Sequence, residues 1–399
     1  MKTLLCIANF PTNTGYAWDF IERLYAGIAD RLTRHNVRTL VAYPAMTSPP
    51  ATLAGSTAEP IGLDASLSTL ASLRAVTRLI RRAEVKVVYL CDRPVVHPAY
   101  LALRAAGVRR IIVHDHTSGE RTPPRGLRRI VKWLLARVPG LGADVVVAVS
   151  DYVARRHVDV GLVPRRRVVR VWNAVPVQPG TASAERLAHR TFGIASDRPL
   201  LACACRATPE KGVAWLLRAF DRVARDARHG PHKPALLYVG AGPQLPELHA
   251  LRERLATRED IILAGYRPDA VQLVQSADLC VVPSVWHEAF CLGVLEPMAA
   301  GRPVVATSVG AIPELVVPDV TGVLVPPADE TALARAIGAL LDDPARAARL
   351  GEAARRRAAE HFSPERQVAT LAAIVERGFA NRAAPRQLGL GGEPFKRPS

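Results

Sequence analysis

Short apolar runs alternate with helical patterns along the whole chain. In the first half the runs are TLLCIA (3–8), RTLVAY (38–43), KVVYL (86–90), RIIVH (110–114), DVVVAVS (144–150) and VVRVW (168–172). In the second half they are PLLACAC (199–205), ALLYVG (235–240), IILAG (261–265), DLCVVPS (278–284), PVVAT (303–307) and GVLVP (322–326). Near-continuous apolar strands separated by helices predict parallel sheets covered on both faces. Two successive sets of about six predict an α/β chain of two doubly wound domains. The Pro-, Gly- and Ala-rich stretch NAVPVQPGTASAE (173–185) reads as their joint. The expected division is therefore 1–176, 177–379 and a disordered tail, 380–399.

Ligands of open α/β sheets bind beyond the carboxyl ends of the strands, so the residues just after each run carry the candidate chemistry. After Cys205, Thr208 is expected to cap a helix with Pro209 at its first position. Arg206 and Lys211 flank that turn, and two cations beside a helix N-terminus suit a diphosphate. The same pattern also fits a plain cap with two solvated charges. After Ser284 comes HEAFCLGVLEPMAAG (287–301), with Glu288 in a loop and a helix expected to start near Cys291–Gly293 and end at Gly301. The free N–H groups of that helix can hold phosphate oxygens. Glu296 falls about one turn inside it, where a carboxylate can take both hydroxyls of a ribose. Glu288 lies ahead of the helix, toward a reacting sugar. Eight positions hold the two carboxylates too far apart to share one bond as an acid/base pair, which needs ~5–9 Å.

Composition narrows the setting. The six cysteines lie mostly in or beside strand-like runs, and none has zinc spacing. A reducing, cytosolic setting is expected. MKTLLCIANF reads as a first strand and not a signal peptide, and no apolar run reaches membrane-spanning length. The net charge is +17, with 47 Arg against 6 Lys. Residues 1–176 hold 26 Lys and Arg against 12 Asp and Glu, so almost the whole excess sits there. Nucleic acid, a membrane surface or an anionic substrate would each explain it, as would an arginine bias on a solvated surface. No nucleic-acid-binding signature accompanies the charge, and aromatics are few. GLRRIVKWLLARV (126–138) is amphipathic. Leu127, Ile130, Val131, Leu134, Leu135 and Val138 form one stripe, expected to pack on the sheet. Arg128, Arg129 and Lys132 face the other way with Trp133, a combination suited to lipid headgroups.

The second half resembles the family 4 retaining glycosyltransferases, which have the GT-B fold. Glu288 and Glu296 match that family's E-x7-E, within ADLCVVPS (277–284), EPMAAGRPVVAT (296–307) and GAIPELV (310–316). CRATPEKG matches G-R-L-x-x-x-K-G at Arg206 and Lys211, and VGAGP (239–243) matches its glycine turn. The first half matches more loosely, through Gly15, VHDH (113–116), VAVSDYV (147–153) and Asn173. Three positions depart from the pattern: Cys205 and Ala311 stand where glycine is usual, and Thr14-Gly15 replaces a glycine pair.

The resemblance implies two Rossmann-like domains facing across a cleft, with the C-terminal helix packing back on the N-terminal domain. It implies sugar transfer from a nucleotide donor with retention; no acidic D-x-D run is evident in the sequence, so no metal or other cofactor is expected. Arg206, Lys211, a helix dipole and the Gly15 N–H would stabilise the leaving diphosphate. Glu296 would hold the ribose. Glu288 and the backbone of Phe290, Cys291 and Leu292 would hold the sugar. Gly265 and Tyr266 would contact the base. His114 would act at the reacting centre, with His116 as the alternative. The acceptor would be an anionic lipid or a glycan, reached through peripheral contact of 125–138 with the inner face of a membrane. A GT-B protein of another activity, such as an epimerase, is the competing reading.

Overall fold

The computed structural model describes residues 2–177, 186–226 and 233–379. The expected tail from Ala380 and most of the expected joint lie outside these residues.

The described chain forms two compact units. The first comprises Met1–Thr117, Arg121–Trp172 and a C-terminal segment that begins at Glu365; the second comprises Asn173–Pro364 with Ser118–Glu120. In the first unit seven parallel strands lie in the order β3-β2-β1-β4-β5-β6-β7. They are β1 (Lys2–Ile7), β2 (Val37–Tyr43), β3 (Ala58–Gly62), β4 (Val85–Cys91), β5 (Arg110–Asp115), β6 (Val145–Ala148) and β7 (Val168–Arg170). In the second, six parallel strands lie in the order β10-β9-β8-β11-β12-β13. These are β8 (Leu200–Ala204), β9 (Ala235–Val239), β10 (Ile261–Leu263), β11 (Leu279–Val282), β12 (Val304–Thr307) and β13 (Val323–Val325). The central strands are buried along nearly their whole length, as their unbroken apolar runs require.

In each sheet the strand order reverses once. The switch points fall between β1 and β4 and between β8 and β11, and a doubly wound sheet binds ligands at such a point. The loops after β8 and β11 carry the Arg206–Lys211 and Glu288 segments, so topology alone brings together residues about eighty positions apart.

Helix α1 (Tyr16–Thr33) and the last helix, α14 (Pro364–Glu376), share one core. Leu371, Ala372, Ile374 and Val375 of α14 pack with Leu24, Tyr25 and Ile28. The chain thus returns to its first unit at the end, as expected. A Cβ at Gly27 would lie 3.0 Å from Val368, so the close approach of the two helices relies on that glycine.

Helix α4 (Gly126–Leu135) corrects an expectation. It has no buried residue. Its apolar stripe faces solvent instead of the sheet: Leu127 is 75% exposed, Ile130 56% and Leu134 51%. Trp133 is also exposed, with the Arg137 guanidinium 4.0 Å above its ring.

Candidate functional site

The candidate residues of the second unit sit on a backbone frame set by glycines. Pro209–Lys211 is a single 3-10 turn, and Thr208 makes no capping bond to it. Helix α7 (Val213–Ala224) starts only after Gly212, which has φ +70°. The expected cap at Thr208 with a helix from Pro209 is therefore corrected: the left-handed residue separates turn from helix. A Cβ on Gly212 would fall 2.0 Å from the Pro283 carbonyl oxygen. That contact presses the loop after β8 against the loop after β11. The Val285 N–H donates to the Glu210 carbonyl at 2.9 Å and fastens the two loops together. Gly240 and Gly242 allow a similar approach to the carbonyls of Cys205 and Ala207, where a Cβ would come within 1.9 and 2.5 Å.

On this frame the Lys211 ammonium lies 2.6 Å from Glu288 Oε1, and the Ser284 hydroxyl donates to the same oxygen at 2.8 Å. Glu288 is buried and Lys211 largely so. Burial alone would lower the Lys211 pKa, but the Glu288 carboxylate outweighs it and holds the ammonium above its ordinary range. The Glu288 backbone is fixed from behind. The Ala311 N–H donates to its carbonyl at 2.9 Å, and a Cβ on Gly310 (φ +56°) would meet that carbonyl at 2.3 Å.

Helix α10 (Leu292–Ala299) begins at Cys291, which is in the left-handed region at φ 76°, and no side chain caps it. Its first-turn N–H groups therefore remain open to an acceptor. Glu296 lies in its second turn. The residue as a whole is partly exposed, yet burial of the carboxyl pushes its pKa up to about 8. Phe290 is buried with its ring edge-on to Phe362 at 5.8 Å, so only its backbone is free for a ligand. Arg206 is exposed, and Tyr266 is 68% exposed after the left-handed Gly265.

In the first unit, Gly15 (φ +110°) opens α1, again without a side-chain cap. His114 is wholly buried. Its Nδ1 pairs with the Tyr89 hydroxyl at 2.6 Å, while its Nε2 has no hydrogen-bond partner. His116 is partly exposed, and the two rings lie 4.1 Å apart. Burial holds the His114 pKa well below its ordinary value and pushes that of His116 down to about 4, so both rings are neutral at pH 7. Between them Asp115 turns the other way. It accepts from His157 Nε2 at 2.7 Å and from Arg156 at 3.0 Å. Burial would raise the Asp115 carboxyl, but His157, Arg156 and Thr117 hold it well below the carboxylate range. Sequence reasoning missed this anchor, because Arg156 and His157 are an irregular turn at the end of α5 (Asp151–Arg155) with no motif to mark them.

The three departures from the glycine pattern sit at ordinary backbone angles. Ala311 has φ −92°, and neither Cys205 nor Thr14 has a positive φ. Each accepts a side chain without strain.

Residues 198–343 match a family model described as Glycosyl transferases group 1, and residues 21–178 match one described as Glycosyltransferase Family 4. The chain is 32% identical over 286 residues to a GDP-mannose-dependent alpha-(1-6)-phosphatidylinositol monomannoside mannosyltransferase of Mycolicibacterium smegmatis. That match covers 68% of this chain and 71% of the relative. Its fold is similar to a glycosyltransferase from Rickettsia africae ESF-5, with a TM-score of 0.77, 19% identity and coverage of 96% and 99%. It is also similar to Anabaena HepE in complex with UDP, with a TM-score of 0.74, 20% identity and coverage of 94% and 100%. Two parallel-sheet α/β domains of the GT-B type are common to these structures.

Proposed function

Because the chain belongs to glycosyltransferase family 4, we propose that it moves a hexosyl group from a UDP- or GDP-sugar to a lipid-borne acceptor, with retention and without a metal. The observation that carries this reading is the Lys211–Glu288 pair at the β8/β11 switch point. A cation stored against a buried carboxylate stays charged and positioned until an anionic donor arrives. The donor diphosphate then offers Lys211 a second anion, and Glu288 gains an oxygen free for a sugar hydroxyl. Negative charge growing on the leaving diphosphate meets Lys211, the exposed Arg206 and the open N-terminus of α10. Glu296 takes the ribose hydroxyls. The family resemblance gives His114 and Gly15 of the first unit a part in the same reaction; within that unit the neutral His114 ring has an unpartnered nitrogen, and no side chain caps α1 at Gly15.

The acceptor side of the reading rests on α4. Its exposed apolar stripe lies among Arg125, Arg128, Arg129, Lys132 and Arg137, all exposed. Apolar and cationic residues on one free helix match an anionic lipid surface. Among the described residues no helix is long and apolar enough to cross a membrane, so contact of this kind would be peripheral. The Mycolicibacterium relative is named for a phosphatidylinositol-based acceptor, which has the same character.

The test is titration calorimetry with UDP and GDP, followed by turnover of the matching sugar donors with EDTA present. Binding of one nucleotide, and turnover that survives EDTA, are expected. Lys211→Ala and Glu288→Ala should each lower turnover by on the order of 100-fold. Near-normal turnover in both folded variants would overturn the site assignment, and full loss with EDTA restored by Mg²⁺ would overturn the metal-free chemistry.

A further inference from the structure

Around His114 in the first unit lies a set of side chains that the proposed reaction does not use as a set. We infer that Cys91, His114 and His116 form a site for one soft divalent cation of the Zn²⁺ class. Cys91 ends β4, and His114 is its register partner on β5. Register partners on parallel strands project to the same face, and His116, two residues on, returns to that face. One ligand atom from each residue lies within 4.8 Å of the other two. In a tetrahedral zinc complex such atoms stand roughly 3.3–3.6 Å apart, from bonds of about 2.3 Å to sulfur and 2.0–2.1 Å to nitrogen. Closing the difference needs a shift of about 1 Å. His116, the partly exposed member beyond the end of the strand, is the one placed to make it.

A second observation points at a ligand. His114 Nε2 is buried without a hydrogen-bond partner, and leaving a buried ring nitrogen unsatisfied costs free energy. A metal ion would satisfy it. The supports that metal ligands usually need are already in place. The Tyr89 hydroxyl holds His114 Nδ1 at 2.6 Å, which leaves Nε2 for the metal, and the Tyr25 hydroxyl donates to Cys91 Sγ at 3.2 Å. One thiolate and two neutral imidazoles select zinc-like ions over Mg²⁺ or Ca²⁺, which prefer oxygen. Three protein ligands leave the fourth position to a water molecule. Binding transfers the Cys91 thiol proton to solvent, so occupancy rises with pH. On the reading that His114 meets the donor, a bound ion withdraws that nitrogen, and zinc inhibits a reaction that needs no metal.

Cobalt titration of the reduced full chain tests the site without donor or acceptor, so its failure is separate from failure of the transferase reading. One Co²⁺ per chain, a thiolate-to-cobalt charge-transfer band and displacement by Zn²⁺ are expected. Cys91→Ser should abolish the band. His116→Ala, at the more exposed position, should weaken cobalt affinity by on the order of 100-fold with the melting temperature unchanged. Absence of the band in the wild-type chain at stoichiometric metal overturns the proposal. So does its persistence in Cys91→Ser, which would move the ion to another cysteine.

Discussion

Removing the Lys211 side chain while leaving Glu288 in place would strand a buried carboxylate. Glu288 is 7% exposed at its side chain and Lys211 22%. Breaking one side of a buried ion pair costs about 3–5 kcal/mol. Here the lower end applies, because the Ser284 hydroxyl still donates to Glu288 and water can enter beside the truncated lysine. Lys211→Ala should therefore cost about 3 kcal/mol. Glu288→Gln should cost less, roughly 1–2 kcal/mol, because the stranded ammonium is the more exposed partner and the amide oxygen can still accept from Ser284. The double variant buries no uncompensated charge and should lose about 2 kcal/mol less than the sum of the two singles. Urea unfolding of the four proteins, followed by a probe in the second unit, measures this cycle. Its pH dependence has a definite sign. The Lys211 pKa is raised in the folded chain, so the contribution is complete below the unfolded lysine value of about 10.4 and fades as pH rises through the folded one. Additive single losses, or a Glu288→Gln loss equal to that of Lys211→Ala, would refute the reasoning.

Other perturbations probe other parts of the molecule. A Glu296 carboxyl with a pKa of about 8 must lose its proton to accept both ribose hydroxyls. Since the ionised fraction rises from about 1% at pH 6 to half at pH 8, nucleotide affinity should rise by up to ~50-fold over that interval. The rise should vanish in Glu296→Gln, and a flat wild-type profile by calorimetry would exclude the role. Gly212→Ala should destabilise by on the order of 3 kcal/mol in thermal unfolding, through positive φ and overlap with the Pro283 carbonyl. Gly193→Ala, at φ +66° with nothing nearby, should cost about 1 kcal/mol, and equal losses would refute the close-approach argument. Ile130→Asp with Leu134→Asp should leave stability within about 0.5 kcal/mol and lower co-sedimentation with anionic liposomes by about tenfold or more. Undiminished co-sedimentation would separate α4 from the membrane.

The sheets were legible because buried parallel strands leave continuous apolar runs, and those runs reappear as strands within a residue or two at either end. Strand β3 left no such mark. Its sequence AEPIG includes Pro60 and Glu59, is only partly buried, and pairs at the sheet edge, where the Arg38 guanidinium meets Glu59. Periodicity in α4 was also legible, but a period states only that one face is apolar and not what that face meets. The order of the site motifs located Lys211 and Glu288, while the 2.6 Å contact between them is a product of sheet topology across 77 positions. The raised Glu296 pKa and the Asp115–Arg156–His157 anchor depend on burial by distant segments, which no local pattern records.

The glycine contacts divide the proposed donor side into a part that cannot be altered and a part that can. Gly212, Gly240, Gly242 and Gly310 each set backbone against backbone, with no volume to spare for a single added carbon. Gly265 borders open space, and Tyr266 beside it is 68% exposed. If the segment after Gly265 meets the nucleotide base, as the family resemblance implies, variation in base preference has room around 266–268, in either natural divergence or a mutant library. Substitutions at the four pinned glycines would be removed for misfolding before any change in preference could be observed.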